Sequence, residues 1–402
     1  MMSDINFGLT PCLKCLKRFK INMIQNNLMP KEKTIHYCLC GVGCGGGVDT
    51  YVKSLLQAQP PNVSPHVITS LKNIDQSQFK LLNIQEQQLV WDITGECPVV
   101  YTLHNHSPYC PSGSKYFSMR GTACDRAIST LGCTWGHLVD GCGSRRPEKI
   151  IQNFKNSYRE LETLKKLRIP VIANSDYVRG QLIRHGLPPE QTVTLHCAIP
   201  IPKTSSEPLT FETHQNFRLL FAGRIVPEKG LDWLLKALTQ VDRRVHLDIA
   251  GEGWNRPEME RLAKQLGVSD RVTWHGWCDS EKMDALYRQC YALVFPSLWH
   301  EPAGLVTLEA YARHRPVIAS SLGGIPEYLR DRTTGILIPA NDIKKLAAAI
   351  NELAEDYQKA RSLGEEGYAL LVEQFTIETQ VKQLQIIYEK TIDDFESSRK
   401  NT

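Results

Sequence analysis

No stretch of the 402-residue sequence approaches the roughly 20 consecutive apolar residues that a membrane-spanning helix requires. The N-terminus also lacks the apolar central segment of a secretory signal peptide. These two absences argue against an integral membrane protein and against export. We therefore expect a cytoplasmic protein.

The sequence also has little excess charge of either sign. Its 47 Lys and Arg residues and 43 Asp and Glu residues leave a net charge of +4, which is too small over this length to indicate a nucleic-acid-binding surface. An apolar fraction of 42% is ordinary for a globular protein. The length is sufficient for two domains with separate cores, so we expect two domains and no nucleic-acid partner.

The 13 cysteines are an odd number, so at least one is unpaired in a monomer. In a reducing compartment, metal ligation or burial explains cysteines better than disulfides do. Residues 107–146 interrupt the alternation of strand and helix patterns and contain four of them: Cys110, Cys124, Cys133 and Cys142. Four thiolates can form a tetrahedral zinc site that would order such a long insertion. Because the spacings lack C-x2-C pairs, structural zinc and separate buried or free thiols both remain open.

Residues 1–33 form an N-terminal extension that precedes the fold pattern. Apolar residues and cysteines between Cys12 and Met23 recur near helical spacing. The basic residues between them are Lys14, Lys17, Arg18 and Lys20. Such a pattern is typical of an amphipathic helix lying on an anionic membrane surface. A disordered extension, or an upstream start codon with the functional chain starting near Met29, explains the same residues.

Residues 34–200 alternate strand and helix patterns, which predicts an α/β domain with a parallel sheet. Its first strand, at residues 34–40, leads through a glycine-rich loop into a helix. Glycines at such a loop let the backbone approach a ligand closely. The candidates for ligand contact are Gly45, Gly46 and Gly47.

A histidine ends the strand pattern at residues 99–104. A histidine at the carboxyl end of a strand can hydrogen-bond a substrate or position an acceptor, although an isolated histidine is more often structural. We take His104 as the functional candidate and rank His106, two residues later, below it.

Residues 201–216 are rich in Pro, Ser and Thr, and we predict that they form a linker. Residues 217–375 again alternate strands and helices, which predicts a second domain with a parallel sheet. A further helical pattern occupies residues 376–402.

The stretch 294–329 is the centre of this second domain. It reads as a strand, a loop, a helix beginning near Gly304 and a second strand. Such a unit places its loop at the carboxyl edge of the sheet and points the first helical N–H groups at a ligand there. The amides of Gly304, Leu305 and Val306 are therefore candidates for holding an anion. Glu301 and Glu309 flank them, and because carboxylates would repel a phosphate we interpret them as ligands of sugar hydroxyls.

A basic turn follows the strand pattern at residues 217–222. In GRIVPEKG, Arg224 and Lys229 flank a turn made by Pro227 and closed by Gly230. Positive charges here, beside the Gly304 amides, would form a clamp for a diphosphate.

These motifs also resemble a known family. Glu301 and Glu309 form an E-x7-E pattern, followed by PVIAS and GG-x-PE and preceded by FAGRIVPEKGLDWLLKAL and WHGW. The second half thereby resembles the retaining family-4-type glycosyltransferases, and the first half resembles them more loosely. The resemblance implies the GT-B architecture, in which two Rossmann-like domains with parallel sheets face each other across a deep cleft. It also implies that the helix in residues 376–402 crosses back to the first domain.

The resemblance further implies a nucleotide-diphosphate sugar as co-substrate and a carbohydrate or lipid-linked acceptor, in polysaccharide, glycolipid or glycoconjugate synthesis. Arg224 and Lys229 would bind the diphosphate, and Glu309 would bind the ribose or donor-side hydroxyls. Glu301 would bind the sugar's 3- and 4-hydroxyls, and His104 would lie near the transferred sugar. No metal is implied for the chemistry, and the sequence agrees because it contains no Asp-x-Asp pair. The glycine-rich first loop would face the donor phosphates and the acceptor.

Two positions depart from the family pattern. Ala303 stands where the family usually has Phe, and HCAIPIP at residues 196–202 replaces an Asn-Gly-Asp-like turn at the interdomain hinge. Two other functions remain open: a hydrolysing nucleotide-sugar epimerase of the same architecture, and a non-catalytic nucleotide-sugar-binding subunit. E-x7-E together with GR-x4-KG argues against the epimerase, and the intact charged residues of both motifs argue against the non-catalytic subunit.

Overall fold

The computed structural model of the chain describes residues 34–38, 47–60, 64–68, 70–72, 74–85, 87–202, 207–210 and 217–400. The extension of residues 1–33, Gly45 and Gly46 lie outside these residues, whereas Gly47 begins the first described helix. Within the described ranges, no helix has the combination of length and apolarity needed to cross a lipid bilayer.

The first domain is built on six parallel strands in the spatial order β2-β1-β3-β4-β7-β8. Its strands, with a separate hairpin formed by β5 and β6, are β1 (Thr34–Cys38), β2 (Ser64–Ile68), β3 (Leu82–Ile84), β4 (Val99–Leu103), β5 (Tyr116–Phe117), β6 (Thr122–Ala123), β7 (Val171–Ala173) and β8 (Thr192–Thr194). All residues of β3, β4 and β7 are buried, as expected for a parallel sheet covered on both faces.

The helices of this domain are α1 (Gly47–Gln57), α2 (Gln87–Val90), α3 (Thr130–Trp135), α4 (Pro147–Lys166) and α5 (Asp176–Arg184). Their starts follow from local sequence. Pro147 stands in the first turn of α4, where its missing N–H costs nothing. Ser175 caps α5 by accepting a hydrogen bond from the N–H of Val178.

The second domain repeats the architecture with six parallel strands in the order β11-β10-β9-β12-β13-β14. Its strands are β9 (Arg218–Ala222), β10 (His246–Ala250), β11 (Val272–Gly276), β12 (Ala292–Phe295), β13 (Val317–Ser320) and β14 (Gly335–Ile338). Its helices are α6 (Leu231–Leu238), α7 (Arg256–Gln265), α8 (Ser280–Gln289), α9 (Leu305–Tyr311), α10 (Ile325–Tyr328), α11 (Ile343–Glu355) and α12 (Tyr357–Gln374). The order of strands reverses between β9 and β12, which is the feature that positions the site described below.

The last helix, α13 (Ile377–Lys400), returns to the first domain. The amide of Gln380 donates to the Tyr51 hydroxyl at 2.8 Å and to the His196 carbonyl oxygen at 2.7 Å. The two segments that connect the domains contact each other, because the N–H of Ile199 donates to the Phe375 carbonyl oxygen at 3.1 Å. The apolar side of α13 packs into a core cluster that contains residues of both domains.

The insertion of residues 107–146 has regular structure of its own. It contains the β5–β6 hairpin and helix α3, which continues as wider helical turns over Gly136–Asp140. No strand or helix pattern is visible in the sequence of this insertion, because two-residue strands and a six-residue helix are too short to show a hydrophobic period. The insertion also reaches the second domain, since Tyr116 lies in that domain's core.

Candidate active site

The reversal of strand order between β9 and β12 opens a crevice at the carboxyl edge of the second sheet. Loops that leave neighbouring strands at such a point run in opposite directions, and open α/β sheets bind their ligands between them. The loop after β9 carries GRIVPEKG, and the loop after β12 carries Glu301. The topology therefore brings the two sequence motifs side by side.

Gly230 allows these loops to touch. Its φ is +72°, and a Cβ at this position would lie 1.9 Å from the carbonyl oxygen of Pro296. Only glycine tolerates both the left-handed backbone and this approach. The indole N–H of Trp233 donates to the same carbonyl at 2.8 Å. The turn Pro227–Lys229 is thus held against the loop after β12.

Lys229 and Glu301 form a buried ion pair in this crevice. The Lys229 ammonium donates to Glu301 Oε1 at 2.6 Å, and the side chains are 17% and 6% exposed. Ser297 Oγ donates to the same oxygen at 2.7 Å. The rings of Trp299 and Phe295 lie 5.3 and 5.8 Å from the ammonium and limit its contact with water. A cation and a carboxylate are therefore preorganised side by side, and Glu301 Oε2 accepts no hydrogen bond from the described residues.

The other diphosphate candidates surround this pair more loosely. The side chain of Arg224 is 69% exposed and lies 4.0 Å from Glu228. Helix α9 begins at Leu305 with Gly304 as its cap residue, so the first N–H groups of the helix have no partner within it. A Cβ at Gly304 would make only ordinary contacts, the nearest at 3.4 Å. The structure therefore does not require glycine at this position for packing.

Glu309 lies within α9 and accepts a hydrogen bond from the Tyr287 hydroxyl at 2.7 Å. Burial raises the pKa of Glu309 above its usual value. Tyr287 belongs to α8, so the carboxylate is oriented by a neighbouring helix. The structure does not bring Glu309 into contact with Lys229 or Glu301.

The two glycines of GG-x-PE press the loop after β13 against Glu301. Gly323 has a φ of +59°, and its Cβ would lie 2.5 Å from the Glu301 carbonyl oxygen. The N–H of Gly324 donates to that oxygen at 2.7 Å. These contacts fix the backbone of Glu301 from the side opposite to Lys229.

Glu327 of the same motif connects the two domains. Its carboxylate accepts hydrogen bonds from the N–H groups of Asp176 at 2.6 Å and Tyr177 at 2.8 Å. His196 Nε2 lies 2.8 Å from the same carboxylate. An acidic side chain at the start of a helix is stabilised by the unpaired N–H groups and the helix dipole. Glu327 therefore caps α5 of the first domain from the second domain.

His104 stands across the cleft at the end of β4 and is held by a polar chain. Its Nε2–H donates to Gln85 Oε1 at 2.6 Å, and the Gln85 amide donates to Asn83 Oδ1 at 2.8 Å. Asn83 Nδ2 donates in turn to the Tyr388 hydroxyl of α13 at 2.5 Å. These hydrogen bonds assign the proton of the neutral His104 ring to Nε2 and leave the Nδ1 lone pair without a partner among the described residues. Burial lowers the pKa of His104 to about 4, so the ring is neutral at pH 7.

His106 has a structural position between the domains. It is fully buried, its Nδ1 accepts from the Tyr109 hydroxyl at 2.7 Å, and its Nε2 donates to the His300 carbonyl oxygen at 2.7 Å. Burial lowers the pKa of His106 to about 3. Both ring nitrogens are occupied, so His106 fixes the loop that carries Glu301.

A buried carboxylate anchors the segment after His104. Glu160 of α4 accepts hydrogen bonds from Tyr101 Oη at 2.7 Å, Ser107 Oγ at 3.0 Å and Gln87 Nε2 at 2.6 Å. Burial is the largest influence and raises the pKa of Glu160 to about 7. The folded protein thus binds this proton more tightly than the unfolded chain does.

We expect Glu160→Gln to remove a pH-dependent loss of folding stability. The stabilisation from the protonated carboxyl is present below the unfolded pKa of about 4.3 and is lost as pH rises through the folded pKa of about 7. The variant should gain stability over the wild type on the order of 2 kcal/mol between pH 5 and pH 8. Denaturant unfolding at both pH values measures this. Glu162→Gln, at a 71% exposed position of the same helix, should show no such change, and parallel pH profiles for Glu160→Gln and wild type would contradict the expectation.

The four cysteines of the insertion line one small cavity: Cys110, Cys124, Cys133 and Cys142. Burial raises the pKa of the Cys142 thiol to about 12, and the neighbouring thiols add to this effect. All four are free thiols in this structure. Among the residues that the structure describes, however, no three His, Cys, Asp or Glu side chains are placed to hold one metal ion. The cysteines are brought together, and zinc binding stays a prediction.

Sequence reasoning missed several residues at this edge. Gln85 and Glu327 act through contacts with distant segments that no local pattern reveals. Trp254 and Trp277 follow the neighbouring strands β10 and β11 and are 66% and 74% exposed. Their turns are joined by a hydrogen bond from Gly251 N to Gly276 O at 2.8 Å. Large exposed aromatic side chains after neighbouring strands could have been found from the tryptophans in GEGW and WHGW.

Comparisons with known proteins find a family model and curated relatives that match part of this chain. Residues 206–370 match the family model described as "Glycosyl transferases group 1". The D-inositol 3-phosphate glycosyltransferase of Streptomyces bingchenggensis is 33% identical over 216 residues, which cover 48% of this chain and 47% of that protein. The chain thus spans about half the length of the curated relatives it matches.

Two solved structures show the fold. Anabaena HepE in complex with UDP-glucose has a TM-score of 0.68 at 18% identity, covering 89% of this chain and 99% of that chain. Sucrose-phosphate synthase from Thermosynechococcus elongatus has a TM-score of 0.69 at 20% identity, covering 90% of this chain and 100% of that chain. These likenesses confirm the predicted α/β fold class, with two Rossmann-like domains in the GT-B architecture.

Proposed function

We propose that this chain, whose residues 206–370 match the family model of glycosyl transferases group 1, is a retaining glycosyltransferase that uses a nucleotide-diphosphate sugar. The observation that carries the proposal is the Lys229–Glu301 pair, with its 2.6 Å contact, at the strand-order reversal. A cation that fits a phosphate and a carboxylate that fits sugar hydroxyls lie side by side. The junction between the diphosphate and the sugar of a donor has the same succession of groups.

The main barrier to transfer is charge that grows on the departing diphosphate. As the bond from C1 to the phosphate oxygen breaks, the electron pair stays on that oxygen. Lys229 and Arg224 would stabilise it, and the N–H groups of Gly304, Leu305 and Val306 would add donors at the start of α9. Glu301 would bind the 3- and 4-hydroxyls of the sugar, and Glu309 would bind the ribose or donor-side hydroxyls. This chemistry needs no metal, so chelation of metal ions is expected to leave turnover unchanged, except through unfolding if the four cysteines of the insertion hold zinc.

Retention requires the acceptor hydroxyl to attack C1 on the face from which the diphosphate leaves. The new bond to the acceptor oxygen forms as the old bond breaks, and the acceptor proton passes to the leaving phosphate oxygen. His104 is neutral at pH 7, so it would accept a hydrogen bond from a sugar hydroxyl at Nδ1 rather than act as a cation. The glycine-rich loop, with Gly45, Gly46 and Gly47, would lie near the donor phosphates and the acceptor.

The stereochemistry of the product tests the retaining mechanism directly. We expect NMR of the product linkage to show the same anomeric configuration as the donor sugar. An inverted product would exclude the mechanism, because the acceptor would then have attacked C1 on the face opposite to the diphosphate. Such an attack would need a base on that face of the sugar.

UDP-sugars are the first donors to examine, since the structural neighbour HepE was solved with UDP-glucose. Its 18% identity supports the fold and leaves the base and the sugar as proposals. A thermal-shift panel of nucleotide sugars, together with mass spectrometry of nucleotide that co-purifies with the protein, identifies both. Acceptor-dependent release of nucleotide supports transfer. Release without an acceptor would indicate hydrolysis, as in an epimerase, and binding without release would indicate a non-catalytic subunit.

Zinc in the insertion can be tested independently of the reaction. If Cys110, Cys124, Cys133 and Cys142 hold a structural ion, we expect one equivalent of zinc in protein purified without a metal-binding tag. Serine at any one of the four should lower both the zinc content and the melting temperature. Elemental analysis well below one equivalent in the wild type would show that the four are separate thiols. Cys290 is buried outside the insertion, so Cys290→Ser serves as the control and should leave the zinc content unchanged.

A further inference from the structure

The insertion exposes a continuous apolar surface. Helix α3 and its continuation carry Leu131, Trp135, Leu138 and Val139, of which Leu131 is 88% and Trp135 56% exposed. These residues recur at steps of three and four, so they lie on one side of the helix. Met119 is 67% exposed and lies beside the end of this helix, where its N–H donates to Asp140 O. We call these five residues the apolar face of the insertion.

This helix is inverted relative to an ordinary surface helix. Its inward side carries Gly136, His137 and Asp140, all of which are buried. The Asp140 carboxylate, only 1% exposed, pairs with Arg120 at 2.6 Å and with Arg126 at 2.7 Å. A surface helix in water normally buries its apolar side and exposes its polar side. The opposite arrangement indicates that the apolar face meets something other than water.

Basic side chains stand at the edge of the apolar face. Two guanidinium groups share the single carboxylate of Asp140, which leaves one positive charge at this end of the helix. Ser144 accepts a hydrogen bond from His137 Nδ1 at 3.0 Å, so the exposed Arg145 and Arg146 that follow it also lie beside the helix. A second copy of this chain docking here by symmetry would bring like charges together. An anionic partner fits better.

We propose that the apolar face of the insertion, with Arg120, Arg145 and Arg146, is the surface by which this protein lies on an anionic lipid membrane. Apolar side chains enter the headgroup boundary, tryptophan is well suited to that boundary, and basic residues add attraction to anionic lipid. The insertion contacts the loop after β12, because the Nε2 of His300, next to Glu301, donates to the Asp125 carboxylate at 2.8 Å. In the proposed function, on which this purpose rests, the bound membrane would supply a lipid-linked acceptor close to the cleft.

Vesicle sedimentation tests the surface without any turnover. Wild-type protein is expected to bind vesicles of phosphatidylcholine with 30% phosphatidylglycerol, and to bind pure phosphatidylcholine far more weakly. Leu131→Glu should reduce the partition coefficient at least tenfold. Arg145→Gln with Arg146→Gln should reduce it about 30-fold, on the scale of about 1 kcal/mol for each basic residue near the surface. Ile386→Glu makes the same change on α13 at a 67% exposed position and should leave the partition coefficient unchanged.

The remaining outcomes overturn the proposal. Equal partition of Leu131→Glu and wild type would exclude this surface. Loss of binding only on deletion of residues 1–28 would assign the membrane contact to the N-terminal extension. Concentration-dependent association in sedimentation velocity that Leu131→Glu abolishes would show that a second copy covers the face. Transfer to a soluble acceptor should be the same in all these variants as in the wild type. A wild-type protein that shows no such transfer would count against the proposed function and not against the surface.

Discussion

Lys229→Ala is expected to lower kcat by about 30- to 1,000-fold and to weaken donor binding, a loss of about 2–4 kcal/mol in transition-state stabilisation. The Lys229 ammonium is nearly enclosed, with 17% of the side chain exposed. In the proposed function it would therefore act on the departing diphosphate in a medium that screens charge poorly. Steady-state kinetics with the donor varied at saturating acceptor separates the effect on kcat from that on KM. An unchanged kcat would show that Lys229 only binds the ground state.

The same substitution should also destabilise the protein, because it leaves the Glu301 carboxylate buried with Ser297 as its only donor among the described residues. The double variant Lys229→Ala with Glu301→Gln should recover the melting temperature, while its kcat should stay well below that of Glu301→Gln alone, which keeps the Lys229 ammonium. That separation distinguishes a catalytic cation from a structural one. Lys236→Ala is the matched control, since Lys236 pairs with Asp232 at 3.0 Å on an exposed part of α6. It should change neither quantity appreciably.

Much of the second domain could be predicted from the sequence because its signals are local. Apolar runs of four or five residues separated by helical patterns predict a parallel sheet. For β9, the predicted strand at residues 217–222 differs from Arg218–Ala222 by one residue. The resemblance carried by E-x7-E and GR-x4-KG agrees with the match of residues 206–370 to the family model of glycosyl transferases group 1, and the retaining subtype stays a prediction. The roles assigned to individual site residues stay predictions.

The contacts that position the site residues could not be predicted, since they join segments far apart in the sequence. His106 was ranked below His104 as a lone histidine, yet it donates to the carbonyl of His300, 194 residues away. Asn83 and Tyr388 form the last of the hydrogen bonds that orient His104, and they are 305 residues apart in the sequence. No periodicity or spacing encodes such pairs. A short sequence motif can identify a chemical group, and only the fold shows what holds that group in place.

Glu327→Ala is expected to weaken the contact between the domains by about 2–5 kcal/mol, the usual cost of truncating one partner of a hydrogen-bonded charged contact. The carboxylate is the only side chain of the described second domain that caps α5, and it satisfies the N–H groups of Asp176 and Tyr177. Without it, those N–H groups lose their acceptor and the cleft should open more often. Small-angle scattering should show a larger radius of gyration in the absence of donor.

Activity should fall together with closure in this variant, because Glu301 and His104 stand on opposite domains and, in the proposed function, would act on one sugar only when the cleft is closed. Glu327→Gln retains an oxygen that can accept from one N–H, so its effect should lie between those of alanine and wild type. Glu365→Ala is the control, since Glu365 pairs with Arg361 at 2.9 Å within α12 and does not join the domains. A wild-type radius of gyration together with a low kcat in Glu327→Ala would place the role of Glu327 in the chemistry. A larger radius with wild-type kcat would show that closure does not limit turnover.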